Sequence, residues 1–345
     1  MTKTDILIVH LNGEEIIKNC LESIKKYTTD FNVYILLNGT TDKSEEVIKK
    51  IYPKSIVFKK DKIIGFAEAS NFLAKKAKSE FILFLNNDVE VDENWLKEML
   101  TTINKHKNCI ACQPKIKSYS DRKMFEYAGA GGGFIDKYGY PFCRGRIFDS
   151  LEKDTNQYND EIRVFWGCGV CLLVKRLEFL ELGGFDEDFF MYGEETDFCW
   201  RANIYGKEIY YCPKSTIYHI GSYSIKKQGI NIKKDYLHTR NHIILLLKNY
   251  SFSSLIKIMP MRIILEATSS IRFFPNKTIA GLMTLVVLPF EFIFKIRKER
   301  KIIQSKRQIS DDQLSKLVYP RSIALDRFLN GKGKFSDLNF KINLN

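Results

Sequence analysis

An apolar run of strand length followed by a segment with helical spacing recurs four times within roughly the first hundred residues, and no other feature restricts the fold as much. DILIVH precedes a helix burying Ile16, Ile17, Cys20, Leu21 and Ile24, with Asn12 and Glu15 as its expected capping pair. FNVYILL leads through NGTTDKSEE, where Asp42 and Glu45 open a helix over Val47, Ile48 and Ile51. SIVF is followed by a helix over Ala67 to Lys78. EFILFLN, apolar throughout as a strand covered on both faces must be, precedes Trp95, Leu96, Met99, Leu100 and Ile103 at helical spacing. This alternation predicts an α/β fold with a Rossmann-like, mostly parallel sheet flanked by helices. Sheets of that kind bind ligands beyond the carboxyl ends of their strands, where the strand order switches. The strand exits are His10 to Asn12, Leu37 to Asn38 and Asn86 to Asp88.

Further along, 118–158 has no clean period and is rich in Gly, Tyr and Arg, so a long functional loop is expected there. EIRVFWGCGVCLLVKR reads as one strand, a short helix covers Phe198, Cys199, Ala202 and Tyr205, and EIYYCP and TIYHIG close the sheet. Of eight cysteines, Cys109/Cys112 and Cys168/Cys171 form Cys-x-x-Cys pairs. More than 50 residues separate the pairs and both lie in apolar, strand-like runs, so buried reduced thiols fit better than a zinc site.

The net charge of +13 favours anionic partners, and Lys248 to Arg307 holds twelve Lys/Arg against three Asp/Glu, a net of 12 − 3 = +9. The same stretch is apolar from Ile279 to Phe294, a run of 16 residues that contains Pro289 and Glu291 and falls short of the ~20 needed to span a bilayer. Interfacial helices on the anionic inner membrane surface are expected, with one short insertion as the alternative. No nucleic-acid motif is present, and nucleic acid is not an expected partner. The opening MTKTDILIVHLNG is too briefly apolar for a signal segment, which suggests a cytoplasmic protein, peripheral at the cytosolic face of the cell membrane.

Seven blocks in order between Ile6 and Tyr250 carry a family resemblance: ILIVHLNG, LLNGTTDKS, GFAEASN, FILFLNNDVEV, GGFDEDFFMYGEETDFCWR, YYCPKSTIYHIGSYS and TRNH. The chain resembles the family 2 glycosyltransferases of GT-A fold, in particular the bacterial rhamnosyltransferase-like branch. The resemblance implies transfer of a sugar, with inversion, from a nucleoside diphosphate donor (dTDP-rhamnose-like or a UDP-sugar) to a hydroxyl of a lipid-linked or polysaccharide acceptor. It implies a divalent cation, Mg²⁺ or Mn²⁺, on the donor diphosphate. Asp88 matches the last acid of the family's DxD motif, whose first acid is absent from Asn86-Asn87-Asp88, and His219 matches a histidine near the metal.

Inversion in one displacement needs a base opposite the leaving group. Glu194-Glu195-Thr196-Asp197 matches the family's acidic block, with Glu195 as the base and Glu194 orienting it or the acceptor; Asp197 and Arg201 are spaced for a helix-face ion pair. By the same resemblance His10, Asn12 and Asn38 face the donor base and ribose, although Leu37 stands where relatives carry an Asp. Gly65, Asn71 and Asn87 lie near the ribose and diphosphate. Trp166 and Gly167 either line the sugar pocket or belong to the core. Arg144 and Arg146 either meet a lipid diphosphate on the acceptor or stay solvated.

The expected organisation is a catalytic domain over 1–250, a basic, apolar helical region over 251–310 and a polar tail over 311–345, in an assembly that admits a homodimer. The alternative is a non-catalytic, nucleotide-sugar-binding scaffold subunit of a glycan assembly complex.

Overall fold

The computed structural model describes residues 3–221 and 232–342, so Ser222 to Ser224 of the YYCPKSTIYHIGSYS block and the end of the polar tail lie outside the described residues. The expected βα alternation is present: β1 (Thr4–His10), α1 (Glu14–Tyr27), β2 (Phe31–Asn38), α2 (Ser44–Ile51), β3 (Ile56–Lys60), α3 (Phe66–Lys76), β4 (Phe81–Leu85), β5 (Val89–Val91), α4 (Trp95–Lys105) and β6 (Cys109–Ser118). Asn12 does not cap α1. Gly13 occupies that position and donates its N–H to Asp42 Oδ2 at 2.7 Å, while Asn12 Oδ1 accepts from the Thr41 N–H at 2.9 Å. The two loops beyond β1 and β2 are thereby tied together.

The segment expected to be a long loop is built instead of short strands, β7 (Gly133–Asp136), β8 (Pro141–Cys143), β9 (Arg146–Ile147) and β10 (Ser150–Leu151). Its many glycines serve tight turns rather than flexibility; Gly129, Gly132, Gly139 and Gly145 all have positive φ. The run 161–176 divides into β11 (Ile162–Val164) and β12 (Cys171–Lys175), and α5 (Arg176–Glu181) and α6 (Glu194–Ile204) follow. The two closing strands are one, β13 (Glu208–His219), with an irregularity between Cys212 and Thr216.

The large sheet runs β11-β13-β6-β12-β4-β1-β2-β3, with β5 on β13. Pairing is parallel from β3 through β4 and again between β13 and β6, and antiparallel around β12. After β1, β2 and β3 the chain returns to place β4 on the other side of β1, so the order reverses between β1 and β4. That reversal opens a crevice beyond His10 and Leu85.

Four helices follow: α7 (Ile232–Asn249), α8 (Phe252–Arg272), α9 (Asn276–Glu291) and, beyond a π-helical turn over Phe292–Ile296, α10 (Arg297–Ser305). Past α11 (Asp311–Leu314), strand β14 (Val318–Tyr319) joins the small sheet in parallel with β7, and α12 (Ile323–Phe328) follows. Phe335 packs on Phe134 and Phe142, with ring centroids at 5.6 and 6.1 Å. All eight cysteines are free and buried, as their apolar settings required.

Asp197 is fully buried, and its carboxylate accepts from Arg201 Nε at 2.7 Å and Asn249 Nδ2 at 3.0 Å, with Lys248 Nζ at 3.6 Å. The i, i+4 pair read from sequence exists, but as the centre of a buried network. Burial works against the charge of Asp197, yet Lys248 and Arg201 hold its pKa below the ordinary value. Its stabilisation is complete above the unfolded carboxyl's pKa and is lost as pH falls through the lower folded value. Asp197→Ala, which leaves the buried Arg201 without its carboxylate partner and removes one of three acids around Lys248, is expected to cost about 3–5 kcal/mol by chemical denaturation.

Candidate active site

At the crevice, β4 leads into Asn86-Asn87-Asp88, and Asn87 Nδ2 lies 2.7 Å from His10 Nδ1 across the reversal point. His10 is fully buried; desolvation lowers its pKa to about 4 against the opposing pull of Asp42, so the ring is neutral at pH 7. Asp88 is fixed at the chain level by its carbonyl, which accepts from the Ile220 N–H at 3.0 Å. That bond places the end of β13 beside it. His219 stands between two carboxylates, with Nε2 3.2 Å from Asp88 Oδ1 and Nδ1 3.2 Å from Glu126 Oε2. Burial disfavours a charged imidazole, but the two carboxylates prevail and raise its pKa to about 10.

Neither contact is an aligned hydrogen bond: Asp88 Oδ1 and His219 Nδ1 both remain buried without a hydrogen-bond partner. An orphaned carboxylate oxygen beside an imidazole, with a second carboxylate behind the ring, is a donor set suited to Mg²⁺ or Mn²⁺. A cation there would take the charge that the imidazolium proton now supplies.

Glu194 and Glu195 begin α6, in the first turn of the helix. The approach to them is strained: Phe190 and Tyr192 have φ of 58° and 73°, which side chains other than glycine rarely adopt, and Gly193 follows at 94°. Three devices hold this loop. Asn241 Nδ2 faces the carbonyls of Phe189, Met191 and Tyr192 at 3.1, 3.0 and 2.8 Å. Arg240 donates to the Asp188 carbonyl at 3.0 Å and grips Glu291 with two nitrogens. Gly65 lets α3 approach, since a Cβ there would lie 2.8 Å from the Phe190 carbonyl oxygen and 2.9 Å from its Cα.

Both glutamates have raised pKa values, Glu194 through burial and then the charge of Glu195, Glu195 through burial opposed by backbone N–H groups that include Gly169 and Gly193. One buried Oε2 on each lacks a hydrogen-bond partner. The route from this pair to Asp88 is short. A Cβ on Gly169 would sit 3.9 Å from Glu195 Cβ, and its neighbour Val170 accepts from the Asn86 N–H at 2.9 Å, two residues before Asp88. Among the described residues, 16 buried side-chain polar atoms lack partners; they include atoms of His10, Asp88 and His219 around the strand exit and of Glu194 and Glu195 at the start of α6. A buried polar atom left without a partner is a candidate for completion by a ligand.

Several expected ligand contacts are spent on the protein itself. The Asn38 amide bonds both ways to Ile64, donating to its carbonyl and accepting from its N–H, each at 2.9 Å. Asn71 is buried and braces Phe185 and Glu187. Trp166 is a core residue: its Nε1–H donates to the Phe134 carbonyl at 2.9 Å and its ring covers Gly133. Gly167 is wedged against Leu172 and belongs to the core as well. Arg144 is not solvated and has no free face for a diphosphate; it binds Asp160 at 2.7 Å and the Gly131 carbonyl at 3.0 Å between the rings of Tyr158 and Tyr211. Arg146 is likewise buried, under Tyr127 and beside Cys143. For Asn38, Asn71, Trp166 and Arg144 the polar head is desolvated and bonds internally, whereas the buried Nε of Arg146 has no hydrogen-bond partner.

Glu126 sits in an aperiodic stretch with nothing local to mark it, and the TRNH block by itself assigns no role to Arg240 and Asn241. A second group of carboxylates, Asp186, Asp188 and Glu299, comes within 4.8 Å of one another but is met by Lys248 and Lys295.

Known proteins share this fold. The model of the family "Glycosyl transferase family 2" matches residues 5–176. The chain is 25% identical over 217 residues to the O-antigen biosynthesis protein RfbC of Myxococcus xanthus, covering 58% of this chain but only 16% of that protein. It is 22% identical over 208 residues to the rhamnosyltransferase WbbL of Escherichia coli K12, covering 58% of this chain and 76% of the other. Among solved structures, GalNAc-T7 with UDP, GalNAc and Mn²⁺ superposes with a TM-score of 0.65 at 16% identity, over 96% of this chain and 58% of that one. The shared fold is GT-A.

Proposed function

Residues 5–176 belong to glycosyl transferase family 2, and on that footing we propose that the protein is a metal-assisted, inverting glycosyltransferase. It moves a hexosyl unit from a nucleoside diphosphate donor to a hydroxyl of a lipid-linked or polysaccharide acceptor at the cytosolic face of the cell membrane. What supports this reading is the pairing of Asp88 with His219, 3.2 Å apart at the strand reversal, with Glu195 linked to that strand exit through Gly169 and Val170. Bound on Asp88 and His219, Mg²⁺ or Mn²⁺ would act as a Lewis acid toward the departing diphosphate. Glu195, desolvated and therefore a stronger base than a free glutamate, takes the acceptor hydroxyl proton. The charge of Glu195 adds to the burial that raises the pKa of Glu194.

The test is turnover of a panel of dTDP-, UDP- and GDP-sugars with Mn²⁺ or Mg²⁺, with the product anomer read by NMR. Transfer with inverted configuration is the expected result; nucleotide-sugar binding without turnover would favour the scaffold reading. Glu126 has a positioning role in this proposal, because its carboxylate stands 3.2 Å behind Nδ1 and leaves Nε2 as the nitrogen on the Asp88 side. Glu126→Gln is expected to weaken Mn²⁺ binding to the UDP complex by about 10–100-fold by calorimetry. Unchanged affinity would reduce Glu126 to a brace for the Ala128 N–H, which it also accepts.

A further inference from the structure

The helices after β13 leave an apolar surface that the catalytic crevice does not use. Among the described residues, 17 of the 28 exposed large apolar side chains fall between Phe252 and Ile302, far more than an even scatter would place there. They include Ile263 at 60%, Phe274 at 75% and Leu285 at 68% exposure. Charge is sorted on the same helices. All three acids of the segment are drawn into ion pairs, Glu266 with Arg262, Glu291 with Arg240 and Glu299 with Lys248. Lys257, Arg297, Lys298 and Lys301 are exposed. What faces outward is thus apolar flanked by cations.

We propose that α8 and α9 dock on an anionic bilayer, lying along its interface with the Phe273-Phe274 turn and the outer faces of both helices in the acyl boundary. This deepens the location proposed above, and rests on it only for where the acceptor is found. Asn276–Ser305 is long and apolar enough to cross a membrane by length and composition. It is nonetheless fastened lengthwise to the catalytic domain. Ala280, Thr284 and Ile296 are buried, α9 packs along α7, and Glu291 is bonded to Arg240. Spanning would strip those contacts, whereas lying flat keeps them and hides only the exposed face. Arg240 also holds the strained loop ahead of Glu195, so the membrane-facing helix is one side chain away from the catalytic loop.

Flotation of the full chain with phosphatidylcholine vesicles, with and without phosphatidylglycerol, tests this. The protein is expected to float with the anionic vesicles and much less with neutral ones. The variant Ile264→Ser/Leu282→Ser/Val286→Ser/Phe290→Ser is expected to lose at least about tenfold in bound fraction with an unchanged melting temperature, since each removed side chain is already exposed. Arg297→Glu/Lys298→Glu/Lys301→Glu is expected to abolish the preference for anionic lipid. Failure of the wild type to float would overturn the proposal. So would a dimer that the serine variant dissociates while flotation is unchanged, which would assign the face to a second copy. An inactive protein that still floats would sink the glycosyltransferase reading and leave this one standing.

Discussion

Glu195→Gln is expected to reduce turnover by about 10²–10⁴-fold, with little change in the KM for the donor, because it removes the proton acceptor and leaves the shape. The pH profile carries the same information. Burial raises the pKa of Glu195, and turnover in the wild type is expected to rise with pH through a midpoint above that of an ordinary glutamate. Stability is expected to move the other way. Both acids of the Glu194–Glu195 pair are raised, so the folded state binds protons that the unfolded chain has released. Stability therefore falls as pH climbs from the unfolded value through the folded ones. Glu195→Gln removes that cost, and its melting temperature at pH 7 is expected to equal or exceed the wild type's. A variant that loses both activity and stability would indicate that Glu195 supports the fold rather than the reaction.

Asp88→Asn is the second large effect. The substitution keeps the volume and the strand-exit backbone, including the Ile220 N–H bond to the residue's own carbonyl, and removes one negative charge facing His219. Mn²⁺ binding in the presence of UDP is expected to weaken by more than about tenfold, and donor turnover to fall by about 10³-fold, the scale of a lost Lewis-acid contribution of several kcal/mol. Calorimetry and turnover read these separately. Intact Mn²⁺ binding would move the cation away from Asp88, and the Asp186, Asp188 and Glu299 group would become the next place to look.

Much of the fold was legible along the chain. The runs DILIVH, FNVYILL and EFILFLN became β1, β2 and β4, because a strand covered on both faces must be apolar throughout and a helix must repeat its apolar residues at its own period. The strand exits could be located for the same reason, and Asp88 and Glu195 are proposed from the motif positions they occupy. Residues 118–158 were not legible: strands of two to four residues give too few alternations to show a period. Trp166, Arg144, Asn71 and Asn38 illustrate a different limit. Their chemistry suits a ligand as well as it suits a core, and a chain of letters does not record which partner stands within 3 Å.

Local periodicity, then, decided the order and kind of the elements and the places where a ligand can enter, since both follow from which residues tolerate water. Only the tertiary structure decided which polar groups were used up in holding the molecule together and which were left wanting. Glu126 was brought behind His219 from another part of the chain, and Arg240 and Asn241 were turned onto the loop before Glu195. The reason is desolvation: a buried polar group is free for chemistry only where packing has denied it an internal partner, and packing is settled by residues distant in sequence.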